Sequence, residues 1–456
     1  MSVDCIIEKL KAKNILLLGF GKEGKSSYTF IRKHFPETLI TIADKNPEAI
    51  FPIMENDENV SLIFGEQYLN VVEDYDIILK SPGISLKDIS LKDKSKMSSQ
   101  TDLFLQAFAS QSIGITGTKG KSTTTSLLYH IFQQMKNDVL IAGNIGVPLF
   151  DIIENINPST KIVLELSSHQ LEYISKAPHI SILLNLFEEH LDHYRSFFHY
   201  QQAKFNIARY QSKENYFIYN TNDELIFNLL NNNEIKSNLV GFSFEKNEKS
   251  ASYIHDSWFC FLKDNSEEKI ARINEDFPLK GDHNLLNVTA VIAALQCMDD
   301  IDNSQIEKSF YSFKGLEHRL ERVGEFDGII FYNDSISTIP QASIAAIEAL
   351  KEVNTIILGG FDRGIEYDPF VDFLEKSDIQ NLIFTGEAGK RMMSLFFEKT
   401  NKNLFFAEKY PEIVKLAKEH TQKGKICLLS PAAASYDQFK NFEHRGNKFK
   451  ELLSIN

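Results

Sequence analysis

Residues 112–125 read Ser-Ile-Gly-Ile-Thr-Gly-Thr-Lys-Gly-Lys-Ser-Thr-Thr-Thr: a strand-type apolar run, a glycine loop, then a helix-forming stretch. A strand that opens into such a loop and returns as a helix implies a parallel sheet with helices on its faces. Backbone N–H groups of the loop and the positive end of the following helix suit phosphate oxygens. Lys121 is placed to neutralise the β- and γ-phosphates, and the hydroxyl of Ser122 or Thr123 to reach magnesium. The strict pattern asks for glycine where Ile115 stands, and a plain glycine turn after a strand is the alternative. The strand–loop–helix context favours a nucleotide site made by Gly117, Thr118, Lys119, Gly120, Lys121, Ser122 and Thr123.

A second glycine motif lies upstream. Gly19-Phe20-Gly21-Lys22-Glu23-Gly24 follows the apolar run Ile15–Phe20 and opens a helix over Lys22–His34, and Asp44 ends the next strand, Leu39–Ala43. The pattern reads as a diphosphate site at a helix N-terminus, or as a tight strand–helix turn that needs glycine for packing. Asp76–Leu79 continues the βαβ rhythm. Leu86–Ser99, rich in Lys and Ser, reads as surface, and Thr101–Ala109 as a helix leading into the next unit.

With 456 residues the chain is expected to hold about three domains. The second α/β unit has strands at Ser112–Thr116, Val139–Ala142, Ile162–Leu166, Ile180–Leu186 and Asn215–Asn220. Asn231–Asp276 turns polar, with short strand-like runs, and reads as an antiparallel appendage before a helix over His283–Met298. The third unit opens with a hairpin, Val323–Phe326 and Gly328–Tyr332, turning at Asp327-Gly328. The expected boundaries are 1–108, 109–313 and 314–456.

The 49 Lys and Arg against 62 Asp and Glu leave a net charge of −13, which disfavours non-specific nucleic-acid binding. The four cysteines, Cys5, Cys260, Cys297 and Cys427, form no CxxC pair, which fits a reducing compartment rather than a zinc site or disulfide framework. The opening residues lack a signal-peptide core, and no apolar run approaches the ~20 residues of a membrane helix. A cytoplasmic protein without membrane insertion is expected.

Acidic and histidine side chains follow the central strands. Glu165 closes one strand ahead of Ser167-Ser168-His169-Gln170, and Glu189-His190-Leu191-Asp192 follows another. Groups at the C-terminal ends of parallel strands face the crevice where nucleotides bind. Glu165 and His190 are candidate metal ligands there, although magnesium prefers oxygen. Satisfied polar surface residues are the equal alternative.

These motifs together resemble the Mur ligases, the ATP-dependent ligases that build the peptide of peptidoglycan. The resemblance rests on Thr116–Thr125, Gly143-Asn144-Ile145-Gly146, Glu165-Leu166-Ser167-Ser168, Glu189-His190-Leu191-Asp192 and His283-Asn284-Leu285-Leu286-Asn287. Gly19–Gly24, Ser81-Pro82-Gly83, Gly315-Leu316-Glu317-His318-Arg319 and Ser430–Phe439 extend it over essentially the whole chain. Within the family the match is to the branch that adds glutamate to UDP-N-acetylmuramoyl-L-alanine.

The resemblance implies an α/β protein of three domains: a Rossmann-like UDP-sugar domain, a central P-loop ATPase and a Rossmann-like glutamate domain. It moves the first glycine motif from a dinucleotide to UDP, with Gly19, Gly21, Gly24, Asp44, Ser81, Asn144 and Gln170 on the UDP-linked substrate. It places Asn287, Arg319 and Asp334 on ATP, and Thr338, Arg363, Ser435 and Phe442 on glutamate. Ser122, Glu165, His190 and Lys204 would serve Mg²⁺ or Mn²⁺, with Lys204 as a carbamate; Lys121, His190 and Lys204 would be catalytic. A carbamate turns a cation into an anion and requires a depressed amine pKa; a helix-surface lysine is the alternative. The implied reaction is formation of an acyl phosphate from the substrate carboxylate and ATP, then attack by the amine of glutamate. A monomer is expected.

Two positions depart from the family. Asp334-Ser335-Ile336-Ser337-Thr338 has Ile336 where the branch carries lysine, and Gly359-Gly360-Phe361-Asp362-Arg363 has Arg363 where lysine is usual. D-glutamate is the expected substrate. The alternatives are a variant adding L-glutamate and a non-catalytic paralogue that binds the UDP-sugar.

Overall fold

The computed structural model describes residues 3–46, 57–71, 74–89, 93–298, 301–396 and 400–454. Three sheets follow one another along the chain. The first contains β1 (Ile15–Leu18), β2 (Ile40–Asp44), β3 (Val60–Phe64), β4 (Ile77–Lys80) and β5 (Met97–Ser98), all parallel, in the order β3-β2-β1-β4-β5. Every residue of β1 is buried, as a strand covered on both faces requires. Here the expected surface stretch differs: Met97, Ser98 and Ser99 are buried, because Met97–Ser98 closes the sheet and Ser99 caps the helix Gln100–Phe108.

The second sheet has nine strands: β6 (Ser112–Thr116), β7 (Val139–Gly143), β8 (Lys161–Glu165), β9 (Ile180–Leu183), β10 (Tyr216–Asn220), β11 (Asn238–Glu245), β12 (Ser250–His255), β13 (Trp258–Lys263) and β14 (Ser266–Arg272). Their order is β14-β13-β12-β11-β10-β9-β6-β8-β7, so β6 lies between β8 and β9. Asn231–Asp276 is therefore not an appendage. β11 joins β10 in parallel, β12 joins β11 in parallel, and only β13 and β14 run antiparallel. Phe242, Tyr253 and Phe259 bury one face of this extension, and the helix Asp282–Gln296 packs on it.

These two sheets belong to one compact unit, residues 1–277 with 282–312, and share one apolar core. Phe30 of the helix Lys22–His34 lies 4.5 Å from Phe150, ring to ring, and Ser26 Oγ donates to Asp151 at 2.6 Å. The glycine motif of the first sheet is thereby fixed against the second.

The other unit comprises 278–281 and 313–456. Its sheet contains β15 (Glu321–Phe326), β16 (Ile329–Asn333), β17 (Val353–Gly359), β18 (Asn381–Thr385), β19 (Asn403–Phe406) and β20 (Ile426–Leu429), ordered β15-β16-β20-β17-β18-β19. The β15–β16 hairpin turns at Asp327 (φ 55°) and Gly328 (φ 81°), the paired positive angles of the turn read from Asp-Gly. The α/β class holds throughout. No helix among the described residues is long and apolar enough to cross a membrane.

The strand β9 ends three residues before the expected Leu186. Asp223 anchors the chain beyond it: Oδ2 accepts from Leu186 N at 2.8 Å, while Oδ1 caps the helix Glu224–Asn231 through Leu225 N and Ile226 N. Asp223→Ala leaves three donors unpaired and is expected to cost about 1–2 kcal/mol, read by urea denaturation; a loss under ~0.3 kcal/mol would deny the anchor its role.

Candidate active site

Thr116, Glu165 and Leu183 end β6, β8 and β9, so the loops that follow them share one edge of the sheet. The loop after β6 passes into the helix Lys121–Gln134 through Gly120, whose φ of 86° suits glycine. A Cβ there would meet the Asn287 amide at 2.6 Å, so Asn287 lies directly against the loop. Asn185 holds the loop from the other side: its O accepts from Thr118 N at 3.0 Å and its Oδ1 from Lys119 N at 2.8 Å. Thr118 Oγ1 is 2.8 Å from the Tyr200 hydroxyl. The first-turn N–H groups of the helix have no side-chain cap, as a phosphate cradle requires. Lys121 Nζ donates back to the carbonyls of Gly117 and Thr118, each at 2.9 Å, and Lys119 pairs with Glu189 at 3.0 Å.

Lys204, on the helix Phe197–Arg209, reaches under this loop. It is 2 % exposed, donates to the Gly117 carbonyl at 2.8 Å and lies 5.0 Å from the Tyr200 ring centre. Burial pushes its amine well below the usual lysine range, and the like charge of Lys121 adds to this. Lys204 is thus a buried amine driven toward its neutral form, not a helix-surface lysine.

Glu165 is buried. Its Oε1 accepts from Asn144 Nδ2 at 2.6 Å, and its Oε2 has no hydrogen-bonding partner. His190 has φ 60° and an exposed side chain, with its ring 6.0 Å from that of Tyr200. Partial burial, together with the charges of Lys204 and Lys121, lowers its pKa and favours the neutral imidazole. Among the described residues no three acidic, histidine or cysteine side chains cluster tightly enough to hold a metal unaided. Magnesium does not need such a cage: one or two protein oxygens with water and phosphate suffice. The unpartnered Glu165 oxygen and the Ser122 hydroxyl fit that requirement.

The residues expected on the UDP-linked substrate are also brought together. In the first motif, a Cβ on Gly24 would meet the Gly19 carbonyl at 2.3 Å, which explains glycine there. Asp44 accepts from Phe20 N at 2.6 Å and Ser81 Oγ donates to the Gly19 carbonyl at 2.9 Å, so both shape the turn. Asn144 and Gln170 line a cavity of about 170 Å³ with Lys22, Glu23, Pro82, Gly143, Gly146 and Pro148.

In the second unit, Arg363 donates to the Thr338 carbonyl at 2.7 Å, and Ser335 Oγ donates to that of Phe442 at 2.9 Å. Ser435 is buried beside Ala434, whose carbonyl accepts from Phe361 N at 2.8 Å. Arg319 precedes Leu320, whose N–H donates to Asp334 Oδ1 at 3.1 Å. Asp334 is buried, accepts from Ser430 Oγ at 2.7 Å, and is pushed up to about 6 by burial.

Sequence reasoning missed Arg445. Its guanidinium is fully buried and donates to Ser335 Oγ (2.9 Å), Ser335 O (2.8 Å), Ala433 O (3.0 Å) and Ala434 O (3.3 Å). It ties the Thr338 segment to the Ser435 segment. Its position 110 residues from Ser335 left no local signal.

Comparison with known proteins decides the family. Residues 115–295 match the Mur ligase middle domain and 318–433 the Mur ligase glutamate ligase domain. A UDP-N-acetylmuramoylalanine–D-glutamate ligase of Caldanaerobacter subterraneus is 34% identical over 98% of this chain and 99% of its own length. The chain belongs to the Mur ligase family. An Acetivibrio thermocellus ligase of the same name is 31% identical over 98% of this chain and 97% of its own. Among solved structures, the MurF ligase of Thermotoga maritima in complex with ADP superposes with a TM-score of 0.58 at 17% identity, covering 98% and 96% of the two chains. The UDP-N-acetylmuramate–alanine ligase of the same organism gives 0.56 at 18%, covering 96% and 98%. These structures share the Mur ligase fold.

In this Mur ligase, Arg445 offers several fixed donors where lysine offers one compact ammonium. Arg445→Lys is expected to strand two or more buried acceptors and cost about 2–4 kcal/mol, measured by thermal denaturation. An unchanged midpoint would show that these loops are held by other contacts.

Proposed function

We propose that this ligase joins D-glutamate to UDP-N-acetylmuramoyl-L-alanine in the synthesis of peptidoglycan precursors, with ATP converted to ADP and phosphate. The observation that carries the reading is the gathering of Lys121, Lys204 and the orphaned Glu165 oxygen around one phosphate loop. Full-length relatives that bear the D-glutamate ligase name support the choice of substrates. Residues 1–108, 109–313 and 314–456 would serve the UDP-sugar, ATP and glutamate in turn, in a cytoplasmic monomer that contributes to cell-wall growth, shape and division.

A carboxylate is a poor electrophile, so the substrate acid must first take up a phosphoryl group. Lys121 leaves the Gly117 and Thr118 carbonyls and turns to the transferring phosphate, where the N–H groups of the helix start complement it. Asn287 lies against the loop on the nucleotide side; Arg319 and Asp334 are assigned to ATP by the family resemblance alone. Thr338, Arg363, Ser435 and Phe442 hold glutamate so that its amine attacks the acyl phosphate and phosphate leaves. Arg363 and Thr338 present a guanidinium beside a backbone turn, which suits a carboxylate. Ser122, Glu165, His190 and carbamylated Lys204 would hold Mg²⁺ or Mn²⁺, which when bound supplies positive charge against the phosphates. Lys204 meets the requirement for carbamate formation, an amine whose cation is disfavoured.

Phosphate release is expected only when UDP-N-acetylmuramoyl-L-alanine, Mg²⁺, ATP and glutamate are all present, with kcat/KM higher for D- than for L-glutamate. Preference for L-glutamate would overturn the stereochemistry and leave the ligase standing. Lys121→Ala is expected to lower kcat by about 10³-fold; near-normal turnover would remove Lys121 from the reaction.

Lys204→Ala is expected to lose nearly all activity and to regain part of it with added acetate or formate, which restores an anion beneath the loop. Full activity in the variant without added acid would contradict the carbamate.

A further inference from the structure

Glu23 is the side chain of the UDP-side cavity that no role above absorbs. It stands in the first turn of the helix Lys22–His34, where a negative charge would oppose an incoming diphosphate. Its Oε1 accepts from Gln170 Nε2 at 2.7 Å, and its Oε2 is buried with no partner. Gln170 is oriented by Ser167: its Oε1 accepts from Ser167 N at 3.0 Å and Ser167 Oγ at 3.1 Å, which turns Nε2 toward the Glu23 carboxyl. Asn144, on another wall, is committed to Glu165.

The charges around Glu23 leave it the surplus acid. Lys80, at the end of β4, is buried and pairs with Glu172 at 3.3 Å, and Glu172 also meets His193 at 3.5 Å. His169 lies against His193, ring centres 4.1 Å apart and tilted, and its pKa is lowered to about 3, chiefly by burial. Asp151, on the segment packed against the same helix, is engaged by Ser26. On the helix itself, Lys22 lines the cavity. Burial raises Glu23 to about 7 against the weaker pull of Gln170 and Lys80.

We propose that Glu23 is a substrate-binding residue that enters the complex as a carboxylic acid and donates its proton to an anionic oxygen of the UDP-linked substrate. The proposal rests on the UDP-substrate reading of this cavity. A proton on Oε2 has no acceptor among the protein atoms, and an anionic oxygen in the cavity supplies one. Gln170 fixes the carboxyl so that this proton is the one presented. Two parts of the substrate carry such oxygens, the diphosphate and the alanyl carboxylate.

Binding then carries a proton linkage with a defined sign. Below about pH 7 Glu23 already holds its proton and binding needs none. Above it the carboxylate must take one up, so affinity falls toward tenfold per pH unit. Calorimetric titration of the wild-type enzyme with UDP-N-acetylmuramoyl-L-alanine at pH 8, in buffers of different ionisation enthalpy, is expected to show uptake of close to one proton. In Glu23→Gln, which keeps shape and a donor, uptake disappears and KM for this substrate becomes flat between pH 6.5 and 8.5. Glu23→Ala, lacking the donor, raises KM about 3- to 10-fold at pH 6.5. Uptake that is absent in the wild type, or unchanged in Glu23→Gln, overturns the proposal. Failure of the wild type to bind this substrate at all overturns instead the reading on which it rests. UDP-N-acetylglucosamine, which has the diphosphate and no carboxylate, separates the two sources: uptake with it assigns the proton to the diphosphate, uptake only with the full substrate to the alanyl carboxylate.

Discussion

The buried amine of Lys204 beneath the Gly117–Lys121 loop is the constraint around which the site is arranged. It and Lys121 both donate to the Gly117 carbonyl. Two cations on one carbonyl repel each other, and burial makes the inner one costly. Lys121 has a way out, because it can follow an arriving phosphate. Lys204 is enclosed by Tyr200, Thr116 and the loop, so its charge is the costlier of the two and its pKa is driven down.

The same logic recurs in acid–amide pairs. Glu165 with Asn144 and Glu23 with Gln170 each satisfy one carboxyl oxygen and leave the other buried without a partner. An unpaired buried oxygen is expensive in a resting protein. Two of them, Glu165 Oε2 and Glu23 Oε2, are the groups to which the proposals above give a bound partner. In the second unit Arg445 works in reverse, supplying donors to four carbonyl and hydroxyl oxygens so that the loops carrying Thr338 and Ser435 are already set.

The local features were legible in the chain because their cause is local. A phosphate loop needs glycine next to lysine and hydroxyl residues, and Asp327-Gly328 needs no distant partner to turn a hairpin. Glu23 and Arg445 were invisible as site residues because their partners lie 147 and 110 residues away. The segment after Asn231 misled for a different reason. Half-buried strands alternate in the same way whether they form a separate hairpin or extend a sheet, and only the parallel register of β11 on β10 separates the two. Met97–Ser99 was misjudged on composition: lysines precede it, yet one short strand and one helix cap bury it.

The proposed reaction requires that one oxygen of the alanyl carboxylate pass to the terminal phosphate of ATP at the Gly117–Lys121 loop and leave with it. UDP-N-acetylmuramoyl-L-alanine labelled with oxygen-18 in its alanyl carboxylate tests this directly when turned over with ATP and D-glutamate. The account predicts one labelled oxygen in each phosphate released, carried across through the acyl phosphate. Product formation with unlabelled phosphate would contradict it.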